Sequence, residues 1–262
     1  MQVSFFEEFP TEENLRKLNL IDWPTKLYIA APNVKQFLNI KKSIKNKQVK
    51  EIIYWPVLDK KEGYWISPFS KNKALWRIFM ELKSKRIPIM LDLELPRKKG
   101  LYMKPWRFRA NKQLIKNFID GYKGPIYLAE YYPEGKWKSM VLKFWGLHYP
   151  SKKVKVIKML YHSMHRFSNQ FLEKEFATGV DTWGSNFSVA LGTICTGIKG
   201  NEPVLSVGQL KRDLDLARKS GVKESIIFRL GGLENSHLEF LKGSKRSRKV
   251  GKVTIEKHFH LD

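Results

Sequence analysis

The chain has 262 residues, of which 42% are hydrophobic and 13% aromatic, a composition that excludes intrinsic disorder for most of its length. Its 49 Lys and Arg residues outnumber 25 Asp and Glu residues, and the formal charge of +24 favours an anionic partner. The single cysteine, Cys195, excludes an internal disulfide and a cysteine-based metal site.

Short apolar runs alternate along the chain with amphipathic stretches, the pattern of parallel strands joined by helices. Eight runs are predicted to be strands: residues 3–6, 27–31, 51–57, 87–94, 125–131, 154–161, 177–181 and 225–230. Six stretches are predicted to be helices: residues 12–20, 34–46, 73–85, 111–122, 163–176 and 207–220. Ser206 and Gly221 stand where the N-cap and C-cap of the last helix belong.

Eight strands with helical crossovers favour closure into a (β/α)₈ TIM-type barrel, which we predict as one domain over residues 1–262. Two connections look like elaborated loops: residues 132–153, after the fifth strand, and residues 182–203, after the seventh. Residues 242–252 form a basic C-terminal segment, and its run of Lys and Arg over 242–249 is predicted to be a solvated tail or loop.

Candidate site residues stand at the predicted strand ends, because catalytic groups of such barrels project from the carboxyl ends of the strands. In chain order, the candidates are Glu7, Tyr54, Trp55, Asp92, Glu94, Glu130, Tyr131, Tyr161, His162, Asp181, Trp183 and Arg229. The aromatic members offer flat faces for stacking on sugar rings.

Asp92 and Glu94 are the most informative of these residues. Side chains alternate along a strand, so the two carboxyls share one face and the intervening Leu93 takes the other. Repulsion and partial desolvation would raise the pKa of one carboxyl and keep it protonated, as a general acid requires. The alternative is a buried ion network with nearby Lys or Arg, and Glu130 and Arg229 could likewise pair with each other.

The sequence Asp92-Leu93-Glu94 resembles the end of the Asp-x-x-Asp-x-Asp-x-Glu motif of chitinase-type glycoside hydrolases, which are also (β/α)₈ barrels. The resemblance implies that Glu94 protonates the glycosidic oxygen and that Asp92 orients the acetamido group of the substrate. The run from Met159 to His162 is similar to the Met-x-Tyr-Asp of that family and gives Tyr161 a role in positioning the acetamido carbonyl.

The chain departs from this pattern at Met90, which replaces the middle Asp, and at His162, which replaces the Asp after the tyrosine. The carboxylate relay behind Asp92 is therefore missing. A conventional pair of carboxylates on separate strands stays open, with Glu94 as the acid and Glu130, Glu7 or Glu8 as the nucleophile or base.

The leading functional hypothesis is a glycoside hydrolase acting on an oligosaccharide, with Glu94 as the acid and Asp92 or Glu130 assisting. The charge motivates a second hypothesis, a nucleic-acid-binding or metal-dependent phosphoryl-transfer protein, and a third is a carbohydrate-binding barrel without turnover.

Neither a cofactor nor a metal site is predicted, although Glu94, Glu130, His162 and Asp181 follow successive strands. The N-terminus lacks an export signal, and no apolar run is long enough to span a bilayer. We therefore expect a cytoplasmic location and no membrane partner.

Overall fold

The structure, a computed structural model, describes residues 1–96, 105–132, 135–151 and 153–250. Eight parallel strands close into a barrel in chain order, with β8 paired to β1. The strands are β1 (Gln2–Glu7), β2 (Thr25–Ala31), β3 (Val49–Pro56), β4 (Ile89–Leu93), β5 (Ile126–Tyr131), β6 (Val154–Met159), β7 (Phe187–Gly192) and β8 (Glu224–Phe228). The predicted (β/α)₈ architecture is confirmed.

Helices follow the strands around the outside of the barrel. They are α1 (Glu12–Arg16), α2 (Val34–Ser43), α3 (Asn72–Leu82), α4 (Pro105–Gly121), α5 (Gly135–Phe144), α6 (Asn169–Trp183), α7 (Val207–Lys219) and α8 (Asn235–Val250). The predicted caps of α7 are present: the Ser206 hydroxyl accepts from the amide of Gln209, and Gly221 takes a φ of 82°. No helix of the described residues is both long enough and apolar enough to cross a membrane.

The prediction of the seventh strand is wrong. Residues 177–181 lie within α6, and the true strand, β7, begins six residues later at Phe187. The run from 177 to 181 continues the apolar face of α6, on which Leu172, Phe176 and Gly179 are buried. The small residues of β7, Ser188, Ala190 and Gly192, suggested a loop because they carry little hydrophobic signal.

Two other predictions need correction. The connection after β5 contains α5, so it is not wholly an irregular loop. Residues 193–206, after β7, do form an irregular loop. The backbone of 242–250 belongs to α8 rather than to a tail or loop, while the side chains of 243–250 and all of 251–262 lie outside the described residues.

Strand alternation divides the core into two layers. The outer layer packs between the strands and the helices and contains Phe5, Leu27, Leu91 and Leu128. The inner layer fills the barrel itself, and its largest buried members are Phe6, Tyr28, Trp55, Met90 and Tyr127. A side chain therefore reaches the barrel interior only if it stands in register with this inner set.

The floor of the barrel is closed by polar side chains at the start of the strands. Glu224 accepts hydrogen bonds from Ser4 at 2.7 Å and from the Lys26 ammonium at 2.9 Å. Tyr127 donates to Glu51 at 2.8 Å. Because these groups satisfy one another, the open space inside the barrel lies at its other end.

Gly179 is required where α6 crosses β7. A β-carbon at this position would lie 2.0 Å from Cζ of Phe187, a ring that is only 1% exposed. We expect Gly179→Ala to lower the free energy of unfolding by roughly 1–3 kcal/mol, because the ring has little room to move. Urea denaturation would measure the change.

The matched control is Gly208→Ala in α7, where an added β-carbon meets nothing within 4 Å. This change should leave stability unchanged or raise it by up to about 1 kcal/mol through helix propensity. Equal effects of the two substitutions would contradict the packing explanation.

Candidate active site

A cavity of about 260 Å³ opens at the carboxyl ends of the strands, the end that holds the active site in barrels of this fold. Its polar wall contains Glu8, Asp92 and Glu94, and its aromatic wall contains Trp55, Tyr131, Tyr161 and Phe228. The loop after β7 adds Lys199 and Glu202. We call this space the mouth cavity.

Asp92 and Glu94 both face the mouth cavity, as strand alternation predicted. Asp92 is 3% exposed, and its Oδ1 atom has no hydrogen-bond partner within the described part of the chain. Glu94 is half-buried, and its Oε2 accepts a hydrogen bond of 3.0 Å from the Tyr131 hydroxyl. A buried acceptor left unpaired beside open space is available to a ligand.

Burial raises the pKa of Asp92 well above its ordinary value, and the charges of Glu94 and Glu8 add to the effect. Burial also raises the pKa of Glu94, but hydrogen bonding to Tyr131 and the charge of Lys199 oppose this shift. The surroundings therefore favour a proton on Asp92 over one on Glu94.

Glu8 follows β1 and lines the same cavity as Asp92 and Glu94. It is 6% exposed, and its Oε1 accepts a hydrogen bond of 2.8 Å from the Tyr64 hydroxyl. Burial raises its pKa to about 7, against the weaker effect of the Tyr64 hydrogen bond. Glu8 thus changes its charge near neutral pH, and it belongs to the same electrostatic cluster as Asp92.

The aromatic wall also carries an unpaired polar atom. The indole nitrogen of Trp55 is buried and has no hydrogen-bond partner among the described residues. Tyr161 packs against Phe228 with ring centroids 5.7 Å apart, and burial together with the nearby carboxyls raises its pKa. The cavity therefore offers a donor, an acceptor and flat apolar faces to one ligand.

Two cavity residues that the sequence did not indicate are Lys199 and Glu202. Glu202 closes its own loop, because its carboxylate accepts hydrogen bonds from the amides of Gly197 and Lys199 at 3.0 and 2.9 Å. These loop positions follow no helix or strand periodicity. Glu8 does follow one, because it continues the inward series of Ser4 and Phe6, and this register distinguishes it from Glu7.

Glu130 faces the outer layer, away from the mouth cavity. It is fully buried and bonded to His148 Nδ1 at 2.7 Å, Lys158 at 3.3 Å and the amide of Tyr149 at 3.2 Å. Burial alone would raise its pKa, but the His148 hydrogen bond and the Lys158 charge outweigh burial and lower it. The geometry assigns Glu130 to a buried ion network, and its partners are Lys158 and His148 rather than Arg229.

Glu7 and Arg229 form a second ion pair in the outer layer, at 3.1 Å. Glu7 also accepts the amides of Phe9 and Gly231, each at 2.7 Å. Gly231 and Gly232 follow β8, where barrels of this type often bind phosphate. In this protein the Gly231 amide already donates a hydrogen bond to the carboxylate of Glu7, which takes the place of a bound phosphate.

Four other sequence candidates also lie away from the cavity. Tyr54 points outward and stacks on Phe37 at 5.0 Å. His162 contacts Arg212 at 2.9 Å on α7. Two further candidates, Asp181 and Trp183, lie on the last turns of α6; the former is exposed and the latter packs against the outer core layer.

The structure does not assemble the metal ligands considered from the sequence. Glu94 lines the cavity, Glu130 and His162 face the outer layer, and Asp181 is exposed. Within residues 1–96, 105–132, 135–151 and 153–250, no three His, Cys, Asp or Glu side chains are grouped to hold a metal ion.

Comparisons with known proteins show the fold. No protein-family model matches the chain, and no curated protein does. Among solved structures, the glycoside hydrolase domain of PgaB (BpsB) from Bordetella bronchiseptica is similar with a TM-score of 0.53 and 10% identity. That match covers 98% of this chain and 99% of the other.

Two more solved structures are similar at comparable levels. A GH18 chitinase from Pseudoalteromonas aurantia has a TM-score of 0.53 and 9% identity over 94% of this chain and 100% of that one. A D-tagatose 3-epimerase-like protein has a TM-score of 0.57 and 11% identity over 96% and 98% of the two chains. The resemblance to chitinase-type barrels is thus confirmed for the fold.

The raised pKa of Glu8 predicts a pH-dependent cost to stability. Below pH 4.5 the carboxyl is protonated in both the folded and the unfolded chain and costs nothing. Between pH 4.5 and about 7 only the unfolded chain ionises, so stability falls as pH rises. We expect Glu8→Gln to match the wild type at pH 4 and to exceed its unfolding free energy by roughly 3 kcal/mol at pH 8.

Urea unfolding at the two pH values would test this expectation. Glu12→Gln is the control, because the Glu12 side chain is 82% exposed and should give no pH-dependent difference. A Glu8→Gln variant that is no more stable than the wild type at pH 8 would contradict the assigned burial penalty.

Proposed function

We propose that this protein is a glycoside hydrolase that cleaves an oligosaccharide by carboxyl acid catalysis, with Glu94 as the general acid and Asp92 assisting. The observation that carries the proposal is the carboxyl pair Asp92 and Glu94 at the end of β4, which faces the mouth cavity and leaves Asp92 Oδ1 unpaired. Enzymes that hydrolyse glycosides use carboxyl groups of raised pKa to protonate the leaving oxygen.

The proposed proton path follows from the order of the two residues along β4. Asp92 lies deeper, where burial favours a proton on its carboxyl, while Glu94 lies at the strand end and accepts from Tyr131. As the glycosidic bond breaks, Glu94 delivers this proton to the leaving oxygen, and Asp92 supplies the proton that Glu94 gives up. The departing sugar leaves as an alcohol, and the pair becomes fully ionised.

Glu8 is the carboxyl best placed for the second role. Of the three residues considered from the sequence for nucleophile or base, Glu130 and Glu7 are held in outer-layer networks, whereas Glu8 lines the mouth cavity together with Asp92 and Glu94. In its ionised form, Glu8 would attack the anomeric carbon or take a proton from the attacking water. Its pKa of about 7 makes the ionised form available near neutral pH.

An oligosaccharide fits the remaining walls. Trp55, Tyr131 and Tyr161 present flat apolar faces, and the free indole nitrogen of Trp55 can donate to a sugar hydroxyl. Tyr161 is also the residue that matches the tyrosine of the chitinase-type motif. Two of the similar solved structures are described as a glycoside hydrolase domain and a chitinase, which supports the same reaction class.

Glu94→Gln should abolish hydrolysis while leaving the fold and sugar binding intact. Without the acid, we expect a loss of turnover of about 10²–10⁴-fold or more, since leaving-group protonation is lost. Fluorogenic chitooligosaccharides would report turnover, calorimetry would report binding, and thermal unfolding would report the fold.

The matched control is Glu130→Gln. It removes a carboxyl of the neighbouring strand from outside the cavity, so stability should fall while turnover per folded molecule is retained. Unchanged hydrolysis in Glu94→Gln would overturn the assignment. A wild type that binds sugars without releasing product would instead identify a carbohydrate-binding barrel without turnover.

A further inference from the structure

Helix α5 carries an apolar surface that points away from the barrel. Trp137, Met140 and Phe144 are 70%, 63% and 67% exposed. Their spacing of three and four residues places them on one side of the helix. Leu142 is half-buried on the other side, so α5 is apolar outward as well as inward. We call the outward set the α5 ridge.

The α5 ridge is anchored in place. The ammonium of Lys112 on α4 donates to the carbonyl of Phe144 at 2.9 Å and lies 5.7 Å from the centre of the Phe144 ring. Phe108 packs against Phe144 with ring centroids 6.0 Å apart. These contacts hold the end of α5 against the barrel and leave most of the ridge in water, where large apolar patches mark binding surfaces.

The part of the sequence that contains α4 and α5 carries a disproportionate share of the chain's positive charge. Residues 97–153 contain fourteen Lys or Arg and only three Asp or Glu, a surplus of eleven out of the total of +24. One of the three acids, Glu130, is buried among its own partners. Lys138 and Lys143 flank the ridge on α5 itself and are exposed, as is Arg109 on α4.

We propose that α5 is a docking surface for an anionic lipid bilayer, with the ridge inserted at the headgroup level and the flanking lysines over the lipid charges. Helices that lie in a membrane interface combine Trp, Phe and other large apolar residues on one face with Lys or Arg on the flanks. A bare nucleic-acid backbone would pair with the lysines but not with a convex ridge that contains Met140. An anionic bilayer can take up the apolar ridge and also pair with the flanking lysines.

The proposal places the protein at a membrane surface. The mouth cavity by itself gives no indication of such a location. Trp137 is six residues from Tyr131, which lines the cavity, so the two lie within ~20 Å of each other. Docking through α5 would therefore hold the cavity close to the bilayer. This association is peripheral and independent of the hydrolysis proposed above.

Flotation of the full-length chain with vesicles tests the proposal directly. We expect binding to vesicles of phosphatidylglycerol and phosphatidylcholine in a one-to-three ratio and little binding to phosphatidylcholine alone. Binding should fall steeply at ~0.5 M salt, because the charge contribution is screened. The triple substitution Trp137→Ser, Met140→Ser and Phe144→Ser should abolish binding at any salt.

Charge variants separate the two contributions. Lys138→Glu and Lys143→Glu should each weaken binding by about fivefold or more, the change expected for one lysine near an anionic surface. Matched controls lie on α2, where Leu38 is exposed and Lys41 and Lys42 are exposed beside it. Leu38→Ser, Lys41→Glu and Lys42→Glu should leave vesicle binding near the wild-type level.

Three results would overturn the proposal. Equal loss in the α2 controls would show that net charge alone drives binding. A dimer in light scattering that the triple substitution dissociates, without vesicle binding, would make the ridge a contact between two copies. Binding to duplex DNA but not to the anionic vesicles would assign the surface to nucleic acid.

Discussion

The mouth of this barrel is organised by the burial of two carboxyl groups two residues apart on one strand. Asp92 and Glu94 face the same way because strand side chains alternate, and closure of the barrel removes most of the water around them. Two adjacent carboxylates in such a place are unfavourable, so burial and mutual repulsion raise the pKa of Asp92. Burial also raises the pKa of Glu94, but Tyr131 and Lys199 oppose that shift. The packing of the two core layers offsets the unfavourable free energy of burying these two carboxyls.

The acids of the outer layer show what a purely structural carboxylate looks like in this protein. Glu130 has three polar partners, and Glu7 is held by Arg229 and two backbone amides. These two carboxylates are compensated within the fold. Asp92, by contrast, keeps an unpaired oxygen beside open space. Buried polar groups are nearly always paired in folded proteins, so an unpaired one at a cavity is where a ligand completes the structure.

The sequence predicted the barrel and seven of its strands because alternation and helix caps are local signals. It also placed Asp92, Glu94, Trp55, Tyr131 and Tyr161 correctly at the mouth. The sequence did not predict the features that depend on strand register or on tertiary packing. Glu7 and Glu8 are adjacent, and only their register with Phe6 shows which one faces inward. Every second residue of β7 is small, namely Ser188, Ala190 and Gly192, and the close packing of Phe187 on Gly179 joins residues that the sequence pattern alone does not relate. The cavity contributions of Lys199 and Glu202 depend on a loop that follows no periodic pattern.

Charge is distributed unevenly in this molecule. Four acids line the mouth cavity, whereas the segment from 97 to 153 carries nearly half of the net positive charge. A uniform excess of basic residues would be explained by solubility or heat resistance, but neither explains a surplus concentrated in the segment of the sequence that contains exposed Trp137 and Phe144. Because α5 begins four residues after Tyr131, the basic surface and the acidic cavity lie at the same end of the barrel. An anionic bilayer docked on α5 would therefore be attracted to the rim while the acids of the cavity repel its headgroups, which leaves the cavity itself open to a neutral or cationic sugar.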